Sequence, residues 1–218
     1  MVRILGIAML AASLLLSGCQ SAEQLDDRMA GWIPLFDGKS LMNWTASENK
    51  NSFSVEDGMI KAAGDRSHLF YTGPVEDHVF TNFEWKCDIL TKPQANSGMY
   101  FHTEYQETGW PDKGYEVQVN NSHSDWRRTG GLYAVVDVRE SPAQDDEWFT
   151  QHVIVSGRHI TVKVNGEVTA MYTEPYEVAE KGHPNMPGRK LGSGTVAFQA
   201  HDPGSVAYYK NIMIRPLD

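Results

Sequence analysis

The sequence has few cysteines and no cluster of basic residues. It contains 2 cysteines, Cys19 and Cys87, among 218 residues. Because Cys19 is expected to carry a lipid, Cys87 would have no disulfide partner, and we predict that it is a small core residue. Acidic residues outnumber basic residues, 28 against 19, which gives a formal net charge of −9. An acidic chain of this kind is unsuited to a polyanionic partner, so we expect no binding to nucleic acid.

Several motifs with well-defined chemistry are also missing. The chain has no G-x-S-x-G nucleophile elbow, no H-E-x-x-H zinc motif, no phosphate-binding Walker loop and no C-x-x-C pair. Amphipathic helix patterns are scarce, and the best of them is the short stretch EQLDDRMAG at 23–31. These absences argue against an α/β serine hydrolase, a zinc peptidase, a P-loop enzyme and a dithiol oxidoreductase.

The N-terminal residues have the features of a secretory signal. Arg3 precedes an almost wholly apolar run and then small residues that end in Cys19. This run is too short for a permanent membrane-spanning helix, which needs roughly 20 residues. The stretch LLSGC resembles the bacterial lipobox, so we predict a lipoprotein signal peptide at 1–18 and lipidation of Cys19. An ordinary signal peptide with a chance cysteine is the alternative.

The residues after Cys19 indicate where the protein resides. Gln20, in place of Asp, resembles lipoproteins that are sent on to the outer membrane. Residues 19–30 are polar and are predicted to be a tether. We therefore expect a domain that is lipid-anchored in the bacterial cell envelope, facing the periplasm or the cell surface. The lipid would be its only contact with the membrane.

Strand patterns dominate the rest of the chain. Apolar and polar residues alternate in many short segments, separated by Gly, Asn and Pro, and Asn165-Gly166 is a hairpin signal. The main segments lie at 83–89, 98–103, 114–119, 131–136, 151–155, 159–168, 194–200 and 207–214. This pattern predicts an all-β, two-sheet antiparallel jelly-roll sandwich of the concanavalin or LamG type, formed by residues 31–218 as one domain.

The segment GYEVQVNNS at 114–122 places unusual polar groups on one strand face. With a period of two, Tyr115 and Val117 face one way, while Glu116, Gln118 and Asn120 face the other. Other strands repeat this alternation. If they share a sheet, the polar face gathers Glu84, Lys86, Tyr100, His102, Glu116, Gln118, Gln199 and His201. Carboxylates and amides suit a polyhydroxylated ligand, but a solvent-facing sheet with cross-strand ion pairs is the alternative.

Long loops and one turn add candidate residues. The loops lie at 104–113, 120–128 and 173–193, and the first two carry Trp110 and Trp126, whose rings could stack on a sugar. In the turn after residue 200, His201 could ligate a metal while Asp202 orients it. A structural role for this pair is the alternative.

A family resemblance comes from motifs spread over 31–217. GWIPLFDGKSL followed by Trp44, and later FEWK, NSGMYF, YEVQV, LYAV, VAFQAHD and YYKNIMIRPL, resemble the family once called DUF1080, now the 3-keto-disaccharide hydrolase domain. The resemblance implies a concanavalin-like jelly roll that cleaves glycosides whose sugar a partner sugar 3-dehydrogenase has oxidised at C3. The chain departs from the family where YFR is replaced by Tyr100-Phe-His102 and LQDHG by FQAHD, so the role of Asp202 is open.

The implied chemistry assigns roles to the polar face. A ketone at C3 acidifies the C2 proton, so the reaction needs a base, a cation at the developing oxyanion and an acid for the leaving oxygen. Glu116 or His201 would transfer protons, and Lys86 or a divalent metal bound by Glu116 and His201 would stabilise the oxyanion. The expected substrate-binding residues are Glu84, Tyr100, His102, Gln118, Asn120, Gln199, Trp110 and Tyr133. Elimination alone and elimination followed by hydration both stay open.

Two other functions are compatible with the same pattern. A non-catalytic carbohydrate-binding lipoprotein would use the same amides and aromatic rings without needing proton carriers, since jelly rolls serve both purposes. A scaffold protein of the outer membrane would need an exposed apolar patch, which the alternating strands do not indicate.

Overall fold

Fifteen short strands and very little helix make up the part of the chain that the computed structural model describes, residues 30–218. The strands are β1 (Ile33–Pro34), β2 (Trp44–Ala46), β3 (Phe53–Glu56), β4 (Met59–Ala63), β5 (Ser67–Tyr71), β6 (Phe83–Thr91), β7 (Ser97–Thr103), β8 (Tyr115–Val119), β9 (Arg128–Leu132), β10 (Val136–Val138), β11 (Phe149–Ser156), β12 (His159–Val164), β13 (Glu167–Thr173), β14 (Thr195–Ala200) and β15 (Val206–Pro216). Helix α1 (Tyr176–Lys181) and 3₁₀ turns at Lys50–Ser52 and Val75–His78 complete the elements. The predicted signal peptide and nearly all of the predicted tether lie outside the described residues.

The strands form two antiparallel sheets that pack face to face. The eight-stranded sheet has the order β13-β12-β11-β6-β15-β4-β3, with β1 added beside β15. The seven-stranded sheet has the order β10-β9-β8-β7-β14-β5-β2. Every paired strand runs antiparallel to its neighbour, so the predicted two-sheet sandwich is confirmed. Among residues 30–218 the structure has no helix with the length and apolar character that a membrane span requires.

The core lies between the two inner faces, as the alternation predicts. In β6 the odd-numbered positions are buried and the even-numbered ones are partly exposed. Trp85 and Cys87 of this strand pack into the same cluster as Tyr115 and Phe198 of the opposite sheet. The predicted core position of Cys87 is confirmed, and its Sγ lies 3.7 Å from Met99 Sδ. Burial raises the pKa of the Cys87 thiol, so it stays protonated and apolar in character.

Two turns control which side chains reach the outer faces. Asn165 and Gly166 have φ values of 50° and 88°, the left-handed pair that a tight hairpin requires, and they join β12 to β13. The predicted hairpin is thus confirmed. The predicted single strand at 131–136 is wrong, because a turn at 133–135 ends β9 and starts β10. Ala134 has a φ of 58° there, and just before the chain turns Tyr133 N donates a hydrogen bond to Glu116 O in β8 at 2.9 Å.

Candidate active site

A cavity opens on the outer face of the seven-stranded sheet. Its floor is set by strand register, in which Glu116 pairs with Tyr100, Gly98 pairs with Gln118 and Gln199 pairs with His68. These pairs bring Glu116, Tyr100, Gln118 and Gln199 to neighbouring positions on three adjacent strands. The cavity has a volume of about 270 Å³. It is lined by Asn96, Tyr100, Trp110, Pro111, Glu116, Gln118, Asp125, Tyr133, Met186, Arg189, Gln199 and His201.

Gly98 provides the space into which the Glu116 carboxylate folds. A Cβ added at Gly98 would lie 2.5 Å from Glu116 Oε1 and 3.1 Å from its Cγ. Real Cβ atoms essentially never approach another atom as closely as the 2.5 Å contact with Oε1, so a larger residue would displace the carboxylate. The glycine of the NSGMYF stretch is therefore a determinant of the cavity floor.

Glu116 is a buried carboxylate with a strongly altered acidity. Its side chain is 5% exposed, and Gln199 Nε2 donates a hydrogen bond to Oε1 at 3.2 Å. Burial raises its pKa to about 7, while the positive charge of Arg189 and hydrogen bonds from Tyr100 and Gln199 act in the opposite direction. Both protonation states are consequently populated near neutral pH, as proton transfer requires.

Arg189 supplies the cation of the cavity, and sequence reasoning missed it. It lies in the connection between β13 and β14, is 7% exposed, and donates a hydrogen bond from Nη1 to the carbonyl oxygen of Tyr133. Its guanidinium lies 5.2 Å from the centroid of the Tyr133 ring. The loop was identified in the sequence, but a loop has no period from which the direction of one arginine can be predicted.

A row of alternating guanidinium groups and aromatic rings runs from Arg189 to the rim of the cavity. Arg127 lies 4.7 Å from the Tyr133 ring and 4.6 Å from the Trp126 ring, and Arg139 lies 4.3 Å from Trp126 on the solvent side. Cation–π contacts of this kind hold rings and guanidinium planes in fixed orientations. The chain of contacts thus fixes the wall of the cavity that Tyr133 forms.

Two amide oxygens in the cavity have no donor among the described residues. Gln118 donates from Nε2 to Asn96 Oδ1 at 2.6 Å, and Gln199 donates from Nε2 to the Tyr100 hydroxyl at 2.9 Å. Oε1 of Gln118 and Oε1 of Gln199 accept no hydrogen bond from residues 30–218. Buried acceptors are normally satisfied. Both oxygens are buried beneath the cavity surface, which the two glutamine side chains help to line.

His201 reaches the cavity as half of a dyad. Its Nδ1 lies 2.7 Å from Asp202 Oδ2, and Asp202 also accepts hydrogen bonds from Ser205 Oγ at 2.7 Å and Gly204 N at 2.8 Å. A carboxylate in this position favours the tautomer with hydrogen on Nδ1, which leaves Nε2 as the basic nitrogen. The sequence left the role of Asp202 open, and in the structure Asp202 orients His201.

Trp110 and the buried His68 close one side of the cavity. The ring of Trp110 lies 5.3 Å from His201 and 5.6 Å from His68, which in turn packs edge-on against Tyr100 at 5.2 Å. Burial lowers the pKa of His68 to about 3, so its imidazole is neutral and acts as an aromatic spacer. His68 escaped sequence analysis because β5 was not among the predicted strands.

The predicted metal site lacks a complete set of ligands. Glu116 and His201 line the same cavity, but among residues 30–218 there is no group of three or more His, Cys, Asp or Glu side chains that could hold a metal. Catalytic zinc sites, for comparison, use three protein ligands. The donor set therefore does not fit a resident divalent metal, and we derive no step through one.

Two of the predicted residues, Glu84 and Lys86, lie on the wrong sheet. They belong to β6, in the eight-stranded sheet, and face outward on the opposite side of the sandwich. Lys86 Nζ lies 3.9 Å from the centroid of the Trp32 ring, and Glu84 pairs with Arg215 and with His152 at 2.8 Å. The predicted roles for both residues at this site are wrong, because alternation gives the face of a strand but not its sheet.

His102 and Asn120 are buried next to the site rather than in it. Nε2 of His102 lies 2.9 Å from Thr81 O, and Nδ1 accepts a hydrogen bond from Gly192 N at 3.2 Å. The left-handed φ of His102, 55°, turns its ring away from the face that Tyr100 occupies. Asn120 donates to the carbonyl oxygens of two residues in the following loop, at 3.0 and 2.7 Å. Both predicted substrate contacts are therefore corrected to structural supports.

A comparison with known protein families identifies the family of the domain. Residues 31–215 match the model of the 3-keto-alpha-glucoside-1,2-lyase-like domain. No curated protein matches the chain in sequence.

Solved structures give the same fold. A candidate glycosyl hydrolase from Parabacteroides distasonis ATCC 8503 has a TM-score of 0.73 and 24% identity, covering 88% of this chain and 97% of that one. A second from the same organism has a TM-score of 0.68 and 23% identity, covering 85% and 99%. The carbohydrate-binding module CBM66 from Bacillus subtilis has a TM-score of 0.57 and 10% identity, covering 79% and 95%. At these identities the likeness establishes the fold alone.

Proposed function

The chain belongs to the 3-keto-alpha-glucoside-1,2-lyase-like domain family, and from this premise we propose that it cleaves glycosides of 3-keto sugars. The substrates would be 3-keto-disaccharides or 3-keto-glucosides. One observation carries the proposal: Glu116, a buried carboxylate with a pKa of about 7, shares a cavity with the Arg189 cation. A base and a cation in one enclosed site are what abstraction of a proton next to a ketone requires.

The size and lining of the cavity support a sugar as the ligand. A volume of about 270 Å³ is just below that of most ligand pockets, which run from roughly 300 Å³ upward, and suits one sugar ring. Gln118 and Gln199 line the cavity, so their amide groups would lie next to its hydroxyl groups. Trp110 and Tyr133 provide aromatic surface for the apolar faces of the ring.

In the proposed reaction, Glu116 removes the proton from C2 and the electron pair moves toward the C3 ketone. The enediolate oxygen becomes negative, and Arg189 stabilises it. A single oxyanion donor typically contributes about 3 kcal/mol to such a step. Arg189 thereby takes the role that the sequence assigned to Lys86.

The enediolate then expels the glycosidic oxygen from C1. That oxygen leaves with its electron pair and takes a proton from the imidazolium of His201, which Asp202 orients. The product in the site is an enone with a double bond between C1 and C2. Water then adds its hydroxyl to C1 and gives its proton to His201, while Glu116 returns a proton to C2, which completes hydrolysis and restores both residues. If the enone departs first, the outcome is that of a lyase.

Replacing Glu116 by Gln tests the proposal. We expect Glu116→Gln to lower release of the leaving group from a 3-keto-glucoside at least about 100-fold, within the usual contribution of a general base. Its melting temperature should stay near that of the wild type, because the amide removes a buried charge without changing the volume of the side chain.

The matched control is Lys86→Met, on the opposite outer face, which should retain full turnover. Full turnover of Glu116→Gln would remove this residue from the mechanism. A wild-type protein that binds the 3-keto-glucoside but releases nothing would favour the non-catalytic carbohydrate-binding alternative.

We also propose that the protein is lipid-anchored in the cell envelope and works beside a sugar 3-dehydrogenase that supplies its oxidised substrate. The LLSGC stretch supports the anchor, although it lies outside the described residues. Cells grown with an alkyne-tagged fatty acid should label the wild-type protein and the Cys87→Ala variant, but not Cys19→Ser. Absence of label from the wild type would contradict the proposed anchor.

A further inference from the structure

Arg189 lies in a segment, residues 174–191, whose two ends are joined by one buried carboxylate. Glu174 directly follows β13 and is 1% exposed. Its Oε2 accepts a hydrogen bond from the Tyr115 hydroxyl at 2.6 Å and another from Leu191 N at 2.7 Å. One carboxylate oxygen thus joins the beginning of the segment, its end and strand β8. We call Glu174, Tyr115 and Leu191 the clasp.

Neighbouring contacts hold the same part of the segment. Gly192 N donates to His102 Nδ1 at 3.2 Å, and Gly114 N donates to Gly188 O at 3.0 Å. A Cβ added at Gly188 would lie 1.9 Å from Asp112 O, so the two backbones are in close contact there. Arg189 is consequently bracketed on both sides by residues whose backbone atoms are fixed.

Tyr115 of the clasp and the active-site residue Glu116 belong to the same strand. Tyr115 and Glu116 are consecutive in β8, so they point to opposite faces of the sheet. Arg189 approaches Glu116 from the outer face, while Glu174 holds the same segment through Tyr115 on the inner face. A shift of the segment would therefore change the distance between Arg189 and Glu116 directly.

We propose that the clasp is a positioning device that fixes the Arg189 guanidinium over the Glu116 carboxylate. Tyr115 and Glu174 are positioning residues, because they act through Arg189 and do not line the cavity. The proposal rests on the proposed function only in taking Arg189 to face the reacting sugar. The placement of Arg189 beside Glu116 can be measured in the absence of any substrate.

The test is a double-mutant cycle with two readouts. Tyr115→Phe removes one hydroxyl from the clasp and leaves the ring, and Arg189→Gln removes the cation. We expect Tyr115→Phe to lower kcat about tenfold, less than the roughly 100-fold loss on removing an oxyanion donor, because the guanidinium shifts but stays in the cavity. In the Arg189→Gln background, the same substitution should have no further effect.

The second readout is the pKa of Glu116, followed by carbon NMR of the labelled carboxyl group. Since the Arg189 charge lowers this pKa, both Tyr115→Phe and Arg189→Gln should raise it. Tyr71→Phe is the matched control, because Tyr71 is a buried tyrosine of the same sheet that lies in β5, away from the clasp. Glu174→Gln keeps an acceptor for Leu191 N and should fall between the wild type and Tyr115→Phe.

An unchanged Glu116 pKa in Tyr115→Phe would overturn the proposal, as would effects on kcat that add independently to those of Arg189→Gln. These results differ from failure of the proposed function. A protein inactive on every 3-keto-glycoside would still reveal through the Glu116 pKa whether the clasp positions Arg189.

Discussion

Opposing electrostatic effects set the pKa of Glu116. Desolvation disfavours its charged form, whereas Arg189, Tyr100 and Gln199 favour it. The balance leaves a pKa of about 7, higher than that of a solvated carboxylate, which is about 4.3. A carboxylate this basic is a better proton acceptor and remains largely ionised just above neutral pH. The strength of Glu116 as a base is thus a consequence of its burial.

Gly98 provides a prediction at the same scale. An alanine Cβ would lie 2.5 Å from Glu116 Oε1, so Gly98→Ala should push the carboxylate aside. We expect a loss of roughly 100-fold in kcat/KM, the order that a misplacement of about 1 Å can cause. The melting temperature should fall by only a few degrees, because the contact involves a side chain beside an open cavity.

Gly157→Ala is the control for the Gly98 experiment. Gly157 lies in the turn between β11 and β12, where an added Cβ meets no atom within 4 Å. Its own φ is 57°, so alanine carries a modest strain there but leaves the cavity unchanged. A Gly98→Ala enzyme as active as Gly157→Ala would show that Glu116 tolerates displacement, contrary to the role given to it.

At the scale of elements, the alternation of apolar and polar residues predicted which face of a strand each side chain occupies. It did not predict which strands are neighbours in a sheet. It correctly separated Glu116 and Gln118 from the core residues of β8, and it also identified Tyr100 and Gln199. It could not reveal that β6 pairs with β11 and β15 instead of β7. The period of a strand is local, whereas its sheet is decided by contacts far apart in sequence. Glu84 and Lys86 were misplaced for this reason.

The cavity residues whose positions could not be predicted from the sequence lie in loops and turns. Arg189 enters the cavity from a connection whose path depends on the clasp and on close backbone contact at Gly188. Tyr133 was predicted as a contact, but it reaches the cavity because a turn interrupts the expected strand. Neither position follows from a repeating pattern. Such residues become predictable only when tertiary contacts are known.

At the scale of the whole molecule, the sandwich uses its two outer faces differently. The outer face of the eight-stranded sheet carries ion pairs and rings such as Trp32, which lies against Lys86. The outer face of the seven-stranded sheet carries the cavity, because long connections rise above it and Gly98 leaves a gap in its floor. One domain thereby combines a fully packed core with an enclosed polar site.

The central claim is that the cavity removes the proton at C2 of a 3-keto sugar. The most direct measurement follows a 3-keto-glucoside carrying deuterium at C2, recording release of the leaving group together with the label that appears in water. We expect cleavage to be slower than with the unlabelled substrate, any sugar released as the enone to have lost its deuterium, and Glu116→Gln to abolish cleavage. Wild-type cleavage at the same rate with labelled and unlabelled substrate, yielding a sugar that keeps all of its deuterium at C2, would contradict the claim.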